Sequence, residues 1–432
     1  MTQHFDGIVI GTGQAGPSLA ARLAGAGMKM AVLERGRFGG TCVNTGCIPT
    51  KTLVASAYAA NLARRASDFG VVADGPVHVD MKRVIERRDA ISGHSRDGIE
   101  RWMKGLPNCT VFEGHGRFES PRSIRVNGEL LEAEKIFVNV GGRAAIPPIQ
   151  GLDQVPFLTN SSMMNLADLP PHLLIVGGSY VGLEFAQIYR RFGSEVTIIE
   201  MGPRLIARED MDVSDAIREV LEREGIRIRL NAKCISARMH DRQILAGVDC
   251  EEEPSTVSGS HLLIATGRRP NTGDLGLEKA GVITDERGYI RVDEQLRTNV
   301  PGIWALGDCN GRGAFTHTAY NDFEIVAGNL LDQADRRVTD RILAYALFID
   351  PPLGRCGLTE TEILKSGRRV LTAKRPMSRV SRAIEKGETQ GFMKVTVDAE
   401  SRRILGAAIL GTGGDEAIHC ILDVMYAGAP YD

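Results

Sequence analysis

Gly7-Ile8-Val9-Ile10-Gly11-Thr12-Gly13-Gln14-Ala15-Gly16-Pro17 carries more of the architecture than any other stretch of this chain. Four residues of strand character run into glycines spaced G-x-G-x-x-G, and the amphipathic segment Pro17 to Gly27 follows. A second apolar strand, Met30-Ala31-Val32-Leu33, ends in Glu34, 18 residues after the third glycine. The three glycines serve different ends. Gly11 permits the tight turn, Gly13 lets backbone approach a pyrophosphate, and Gly16 lets the helix pack on the strand. The helix N-terminus offers unpaired N–H groups and partial positive charge to phosphates, and Glu34 accepts hydrogen bonds from a ribose.

The same grammar returns downstream. Leu173-Leu174-Ile175-Val176 leads into Gly177-Gly178-Ser179-Tyr180-Val181-Gly182, a helix to about Phe192, and Val196-Thr197-Ile198-Ile199 ending in Glu200. Val138-Asn139-Val140-Gly141-Gly142-Arg143 closes the first copy and Ile264-Ala265-Thr266-Gly267-Arg268-Arg269-Pro270 the second. Two such βαβ units predict an α/β protein with two doubly wound, Rossmann-like dinucleotide-binding domains. After Pro270 come a strand at 302–306, a helix from about Ala319 to Leu331, and alternating strands from about Arg336 that end in a helix at 415–426. The expected division is a first dinucleotide-binding domain over 1–148 that resumes over 271–335, a second over 149–270, and a C-terminal α+β domain over 336–432. Ser179 adds a Cβ where the second pyrophosphate should meet backbone, while its hydroxyl can donate to a phosphate. Glu200 favours a ribose 2′-hydroxyl, hence NADH. Arg204 and Arg208 keep NADPH open; they read equally as phosphate contacts or as ion-paired surface groups.

Composition excludes several classes. The 432 residues are 43% hydrophobic and 25% charged with a formal net charge of -2, a soluble globular balance without the basic excess of a nucleic-acid or anionic-membrane binder. No apolar run approaches the roughly 18 to 20 residues that span a bilayer. The N-terminus lacks the basic and apolar regions of a secretory signal, which predicts a cytoplasmic protein. Arg64-Arg65 and Arg190-Arg191 read as solvated helix faces, and Glu251-Glu252-Glu253 before Pro254 as a loop. Eight cysteines in a chain this long are not a disulfide framework.

Two of those cysteines stand apart, in Gly39-Gly40-Thr41-Cys42-Val43-Asn44-Thr45-Gly46-Cys47-Ile48-Pro49-Thr50-Lys51. In a regular helix this spacing holds the Cα atoms roughly 8 to 9 Å apart, and a disulfide needs about 4.4 to 6.8 Å. Gly46 and Pro49 suit a distorted turn that lets the sulfurs meet, in a bond that is readily reduced. Zinc competes for the pair but wants four ligands, and no second cysteine pair is spaced for it. The plain alternative is two inert core cysteines.

This block resembles the active-site signature of the class I pyridine nucleotide-disulfide oxidoreductases, which include glutathione reductase, dihydrolipoamide dehydrogenase and mercuric reductase. The resemblance runs along essentially the whole chain, and the inner motif with the segment 315–326 is most similar to mercuric-reductase-like members. It implies FAD at the first fingerprint and NADH or NADPH at the second. Cys47 becomes the charge-transfer thiol beside the flavin and Cys42 the thiol that meets substrate. Lys51 and Glu184 match the ion pair near flavin N5, Tyr180 the aromatic gate for nicotinamide, and Asp308 the acid on the ribityl chain. Gly40, Thr41, Gly142, Gly267, Arg268, Gly307, Thr316 and Ala319 fall in the family's cofactor-contacting segments. His317 stands where the family usually has proline and is assigned no chemical step; Cys309 is read as buried structure. No metal site and no nucleic-acid partner is implied, and a homodimer is.

One feature of the family has no match: the chain ends at Asp432 before the C-terminal His-Glu pair that protonates a leaving thiol, and His419 lies in the wrong context to replace it. Three functions therefore stay open: an NAD(P)H-dependent disulfide reductase or dithiol dehydrogenase, a reductase of Hg(II), Cu(II) or a quinone, and a truncated or redox-sensing flavoprotein without efficient turnover.

Overall fold

A computed structural model of the chain describes residues 2–72, 75–233, 235–248 and 255–432. The acidic run 251–253 lies outside the described residues. The chain divides into two compact units, Met1–Pro49 with Arg87–Ala145 and Arg268–Arg341, and Thr50–Glu86 with Ile146–Gly267 and Ile342–Asp432.

The first unit is built on a seven-stranded sheet. Its parallel core runs Cys109–Glu113, Met30–Glu34, Thr2–Ile10, Glu129–Val138, with Ile303–Ala305 also parallel to the last of these. Ser123–Val126 and Arg117–Ser120 extend the sheet antiparallel. The run Ile8-Val9-Ile10 is apolar throughout because both faces of the sheet are covered. Ile8 and Ile10 join a cluster with Phe118, Ile124 and Ile136, whereas Val9 points to Leu19, Leu23, Ile325 and Val326. The latter four come from the helices Gly16–Gly25 and Thr316–Leu331, which pack together on that face. The short strand Arg268–Pro270 pairs antiparallel with Gly142–Ala144, joining the closing segments of the two repeats.

In the second unit a four-stranded parallel sheet has the order Arg227–Arg229, Glu195–Ile199, His172–Val176, His261–Ile264. A three-stranded antiparallel sheet and a five-stranded antiparallel sheet complete it, the latter ordered Ala344–Leu347, Leu353–Gly357, Ile404–Leu410, Phe392–Asp398, Val370–Pro376. The helix Tyr180–Phe192 is buried nearly all round. Leu183, Ile188 and Phe192 share one cluster with Leu173 and Ile175 of the parallel sheet and with Leu347, Leu353 and Leu410 of the five-stranded sheet. That placement corrects the reading of Arg190-Arg191 as a solvated face. Arg191 is buried, with Glu224 and Asp350 each 2.7 Å away, because the helix is sandwiched where an isolated surface helix would show water.

Candidate functional site

The glycine loop of the first unit is as tight as its spacing requires. Gly11 has φ +103, and a Cβ there would lie 2.4 Å from the Asn139 carbonyl oxygen; a Cβ on Gly16 would lie 2.2 Å from the Gly11 carbonyl oxygen. Gly40 approaches the same loop so closely that its Cβ would come 2.9 Å from Gly13 Cα. Bare backbone is thus presented at the N-terminus of Gly16–Gly25, a cradle that fits a dinucleotide pyrophosphate. Glu34 closes it: one carboxylate oxygen accepts from Thr12 N at 3.0 Å and Thr12 Oγ1 at 2.6 Å, the other from Gly36 N at 2.8 Å. Its charge is fixed at the strand end, where a ribose would need an acceptor.

The cysteine segment breaks where the spacing argument demands. A short helix, Gly40–Asn44, carries Cys42 and ends at Thr45 with φ -145; a new helix, Cys47–Arg64, opens on the second cysteine. Gly46 makes the fold-back possible, since a Cβ there would meet the Thr41 carbonyl oxygen at 2.9 Å and Cys42 Cα at 3.3 Å. Cys42 and Cys47 are thereby brought close enough for their thiols to interact. The Cys47 sulfur, together with burial, pushes the Cys42 thiol far above its ordinary range. Cys47 opens the following helix, a position that favours a thiolate. Cys47 Sγ lies 3.5 Å from Thr316 Oγ1, the first residue of Thr316–Leu331. His317 stacks on Phe315, with ring centroids 5.5 Å apart and 10° between planes. Cys309 is fully buried, and burial pushes its thiol up to about 12, so it is no third redox group at neutral pH.

Asp308 sits in a turn held from two sides. Arg268 donates to its carboxylate at 3.3 Å and to the Gly142 carbonyl at 2.6 Å. Gly307, with φ +71, donates its N–H at 2.8 Å to Asp322, which also accepts from Asn310 at 3.0 Å and from Arg341 at 2.5 Å. Burial raises the Asp322 carboxyl against the pull of Arg341. Asp322 and Arg341 escape a motif reading. The available signal is an acid on the buried face of an apolar helix, in step with Ala319, Ile325 and Val326, where charge survives only if paired.

The second unit repeats the loop. Gly177 has φ +116 and would put a Cβ 2.5 Å from the Ala265 carbonyl oxygen; a Cβ on Gly182 would lie 2.1 Å from the Gly177 carbonyl oxygen. Ser179 precedes the helix Tyr180–Phe192 and makes no capping hydrogen bond with its side chain. Glu200 accepts from Gly178 N at 2.6 Å and Gly202 N at 2.7 Å. Gly267 stands at φ +132 after the strand His261–Ile264.

Lys51 and Glu184 form a 2.6 Å ion pair, with Glu184 7% and Lys51 33% exposed. The other Glu184 oxygen accepts from Phe348 N at 3.1 Å, and the ammonium lies 4.6 Å from the Phe348 ring centroid. Tyr180 meets Tyr345 edge to face, centroids 5.6 Å apart. Among the described residues Arg208 makes no ion pair with an acid; its guanidinium is exposed and lies 5.2 Å from the Tyr180 centroid and 6.0 Å from that of Tyr345.

Comparison with known proteins gives one answer along the whole chain. The family profile described as pyridine nucleotide-disulphide oxidoreductase matches residues 5–322, and that of its dimerisation domain residues 343–432. The chain is similar to the probable pyridine nucleotide-disulfide oxidoreductase RclA of Escherichia coli strain K12, 37% identical over 99% of this chain and 94% of the relative. It is 35% identical to mercuric reductase of Streptomyces lividans, over 99% of this chain and 91% of the relative. A solved Cu(II) complex of the HOCl-induced flavoprotein disulfide reductase RclA from Escherichia coli superimposes with TM-score 0.90 at 35% identity, covering 99% of this chain and 94% of that one. The chain therefore belongs to the pyridine nucleotide-disulphide oxidoreductases and is an FAD- and NAD(P)H-dependent enzyme of that family.

Proposed function

We propose that the protein takes electrons from NADH and delivers them through Cys42 and Cys47 to a small disulfide. Bound FAD supplies the hydride acceptor that no side chain provides and links nicotinamide to the sulfur pair. The loop Gly11–Gly16 and its helix would hold the pyrophosphate, Glu34 the ribose, and Asp308 the ribityl chain, with Asp308 kept in place by Arg268 and, through Gly307, by Asp322. Lys51, oriented by Glu184, brings positive charge to an electron-rich ring. Cys42 then attacks a substrate sulfur, forming a mixed disulfide and expelling one thiol, which takes the Cys42 proton. The Cys47 thiolate attacks Cys42, closing the sulfur pair and releasing the second thiol, which takes a proton from solvent. The observation that carries this reading is the approach of Cys42 and Cys47 across the break at Thr45-Gly46.

Anaerobic titration tests it. One equivalent of NADH should reduce the protein, and a small disulfide should restore the oxidised spectrum while yielding two thiols. Absence of bleaching by either nicotinamide cofactor would sink the reading. A second outcome is reduction of a thiophilic metal ion, favoured by the Cu(II) complex of the RclA relative; Cu(II) and Hg(II) belong in the same assay as alternative oxidants.

NADH is the expected donor. The Glu200 carboxylate occupies the strand end where a 2′-phosphate would have to sit, and both arginines are engaged elsewhere: Arg204 donates to the Ala207 carbonyl at 2.8 Å, and Arg208 lies on Tyr180. The kcat/KM for NADH should exceed that for NADPH about 10-fold or more, and parity would refute the assignment. A cytoplasmic homodimer completes the proposal. It is supported by the dimerisation-domain match, and among the described residues no helix is long and apolar enough to cross a membrane.

A further inference from the structure

Tyr180 opens the helix that follows the second glycine loop, and its surroundings are fixed behind and open in front. Behind it, Tyr345 donates its hydroxyl to Glu209, whose carboxylate is fully buried with Arg355 at 3.8 Å. Burial raises both groups, so the Tyr345 phenol stays neutral. In front, Arg208 is exposed and lays its guanidinium on the Tyr180 ring and the Tyr345 ring together. A cation is thereby held 5.2 Å from the centre of the place that the Tyr180 ring occupies. Arginine does not lose its proton in the working pH range, so this charge is always present.

We infer that Arg208 is a charge filter for the nicotinamide ring, admitting the neutral dihydronicotinamide of NADH and disfavouring the pyridinium of NAD+. The inference rests on the reading of Tyr180 as the gate that yields its place to nicotinamide. A ring seated there inherits the guanidinium as neighbour. Dihydronicotinamide is uncharged and polarisable, and the cation tolerates it as it tolerates tyrosine. Once the hydride has left with its two electrons for the flavin, the remaining ring bears a positive charge and is repelled. The same group thus accepts the reduced donor and speeds departure of the oxidised product, which biases turnover toward reduction of the disulfide. Because Arg208 is exposed, water and salt screen the repulsion, and its effect is moderate.

The holoenzyme variants Arg208→Gln and Arg208→Lys test this. The dissociation constant of NAD+ is read from flavin fluorescence, and that of NADH from the concentration dependence of stopped-flow flavin reduction. In Arg208→Gln, NAD+ should bind roughly 3- to 10-fold more tightly, with NADH changed less than about 2-fold. The NAD+ gain should shrink between low salt and about 0.5 M salt, and Arg208→Lys should stay near the parent. Equal shifts for both nucleotides, or none, overturn the filter; equal weakening would mark Arg208 as a contact to a phosphate common to both. Tyr180→Ala separates this from the gate itself. If Tyr180→Ala leaves both affinities and the reduction rate unchanged, the gate reading falls and the filter, which rests on it, falls with it. If Tyr180→Ala alters nucleotide handling while Arg208→Gln shifts NAD+ and NADH alike, the filter falls and the gate stands.

Discussion

Cys47→Ser is expected to abolish disulfide turnover, by about 1000-fold or more, while the protein still folds and is still reduced by NADH. Serine neither forms a disulfide nor ionises near neutral pH, so the sulfur pair ceases to exist as an electron acceptor. The substitution is small, and Thr316 Oγ1, 3.5 Å from the sulfur, can hydrogen-bond a hydroxyl as readily as a thiol, so a stability loss is not what the experiment reads. The informative contrast is Cys42→Ser. It should be equally dead toward disulfides, because the attacking thiol is gone, but it keeps Cys47 at the helix N-terminus and loses the neighbour that competes with it for the single negative charge. Cys42→Ser should therefore show the long-wavelength thiolate–flavin absorption as purified, without added reductant, and Cys47→Ser should never show it. The opposite pattern would exchange the roles of the two cysteines. If Cys47→Ser retained more than about a tenth of the parent disulfide activity, no account built on this pair would survive.

The elements that sequence makes legible are those whose chemistry is local. The two glycine loops can be read because each glycine answers to an atom a few residues away or on the adjacent strand, as Gly16 does to the Gly11 carbonyl. The break between Cys42 and Cys47 is legible for the same reason: a regular helix cannot bring those sulfurs together, and Gly46 is the residue that relieves it. Groups that answer to distant parts of the chain are not legible. Arg191 looks like a solvated arginine until Asp350, 159 positions later, is found 2.7 Å away. Arg208 gives no hint of stacking on Tyr180, because Tyr345, the second face of that stack, lies in another sheet. Asp322 is invisible as a support for the Gly307-Asp308 turn, since Arg341, with which it pairs, comes 19 residues later. The helix Thr316–Leu331 also starts three residues before its apolar periodicity announces it. Its first turn carries Thr316 and His317, which face a site rather than a core.

The largest stability effect is expected far from the sulfur chemistry, at Lys394. Its ammonium lies 3.1 Å from Asp210, 2.8 Å from Asp212 and 2.9 Å from Glu360, and only 3% of the side chain is exposed. The three carboxylates lie close enough together to suit a metal ion, but the positive charge they require is already supplied by this lysine. Burial opposes the ionised forms of Asp210 and Asp212; hydrogen bonds from Lys394, helped at Asp212 by Lys374 at 2.7 Å, outweigh it and hold both carboxyls below their ordinary range. Lys394 is likewise raised by its acids despite burial. Lys394→Met keeps the volume of the stem and removes the charge, leaving the buried Asp210 carboxylate facing the half-buried Asp212 and Glu360. The expected cost is roughly 3 kcal/mol, at the low end for a broken buried pair because Lys374 and Arg355 remain. The pH dependence distinguishes this from simple loss of packing. In the parent, the depressed carboxyls contribute stability that is complete above about pH 4, the unfolded carboxylate range, and is lost as pH falls through their lower folded values. In Lys394→Met the change falls mainly on Asp210, because Asp212 keeps Lys374: burial of Asp210 is then opposed only by Arg355 and backbone N–H groups, its carboxyl rises relative to the parent, and the variant recovers stability relative to the parent as acid protonates it. Thermal unfolding of the flavin-loaded proteins should show the widest gap at pH 7 to 8 and a clearly narrower one near pH 5, still above the range where the parent weakens. A gap that is constant across that interval would mean that Lys394 acts through its carbon stem, and that the buried charge network contributes nothing to folding.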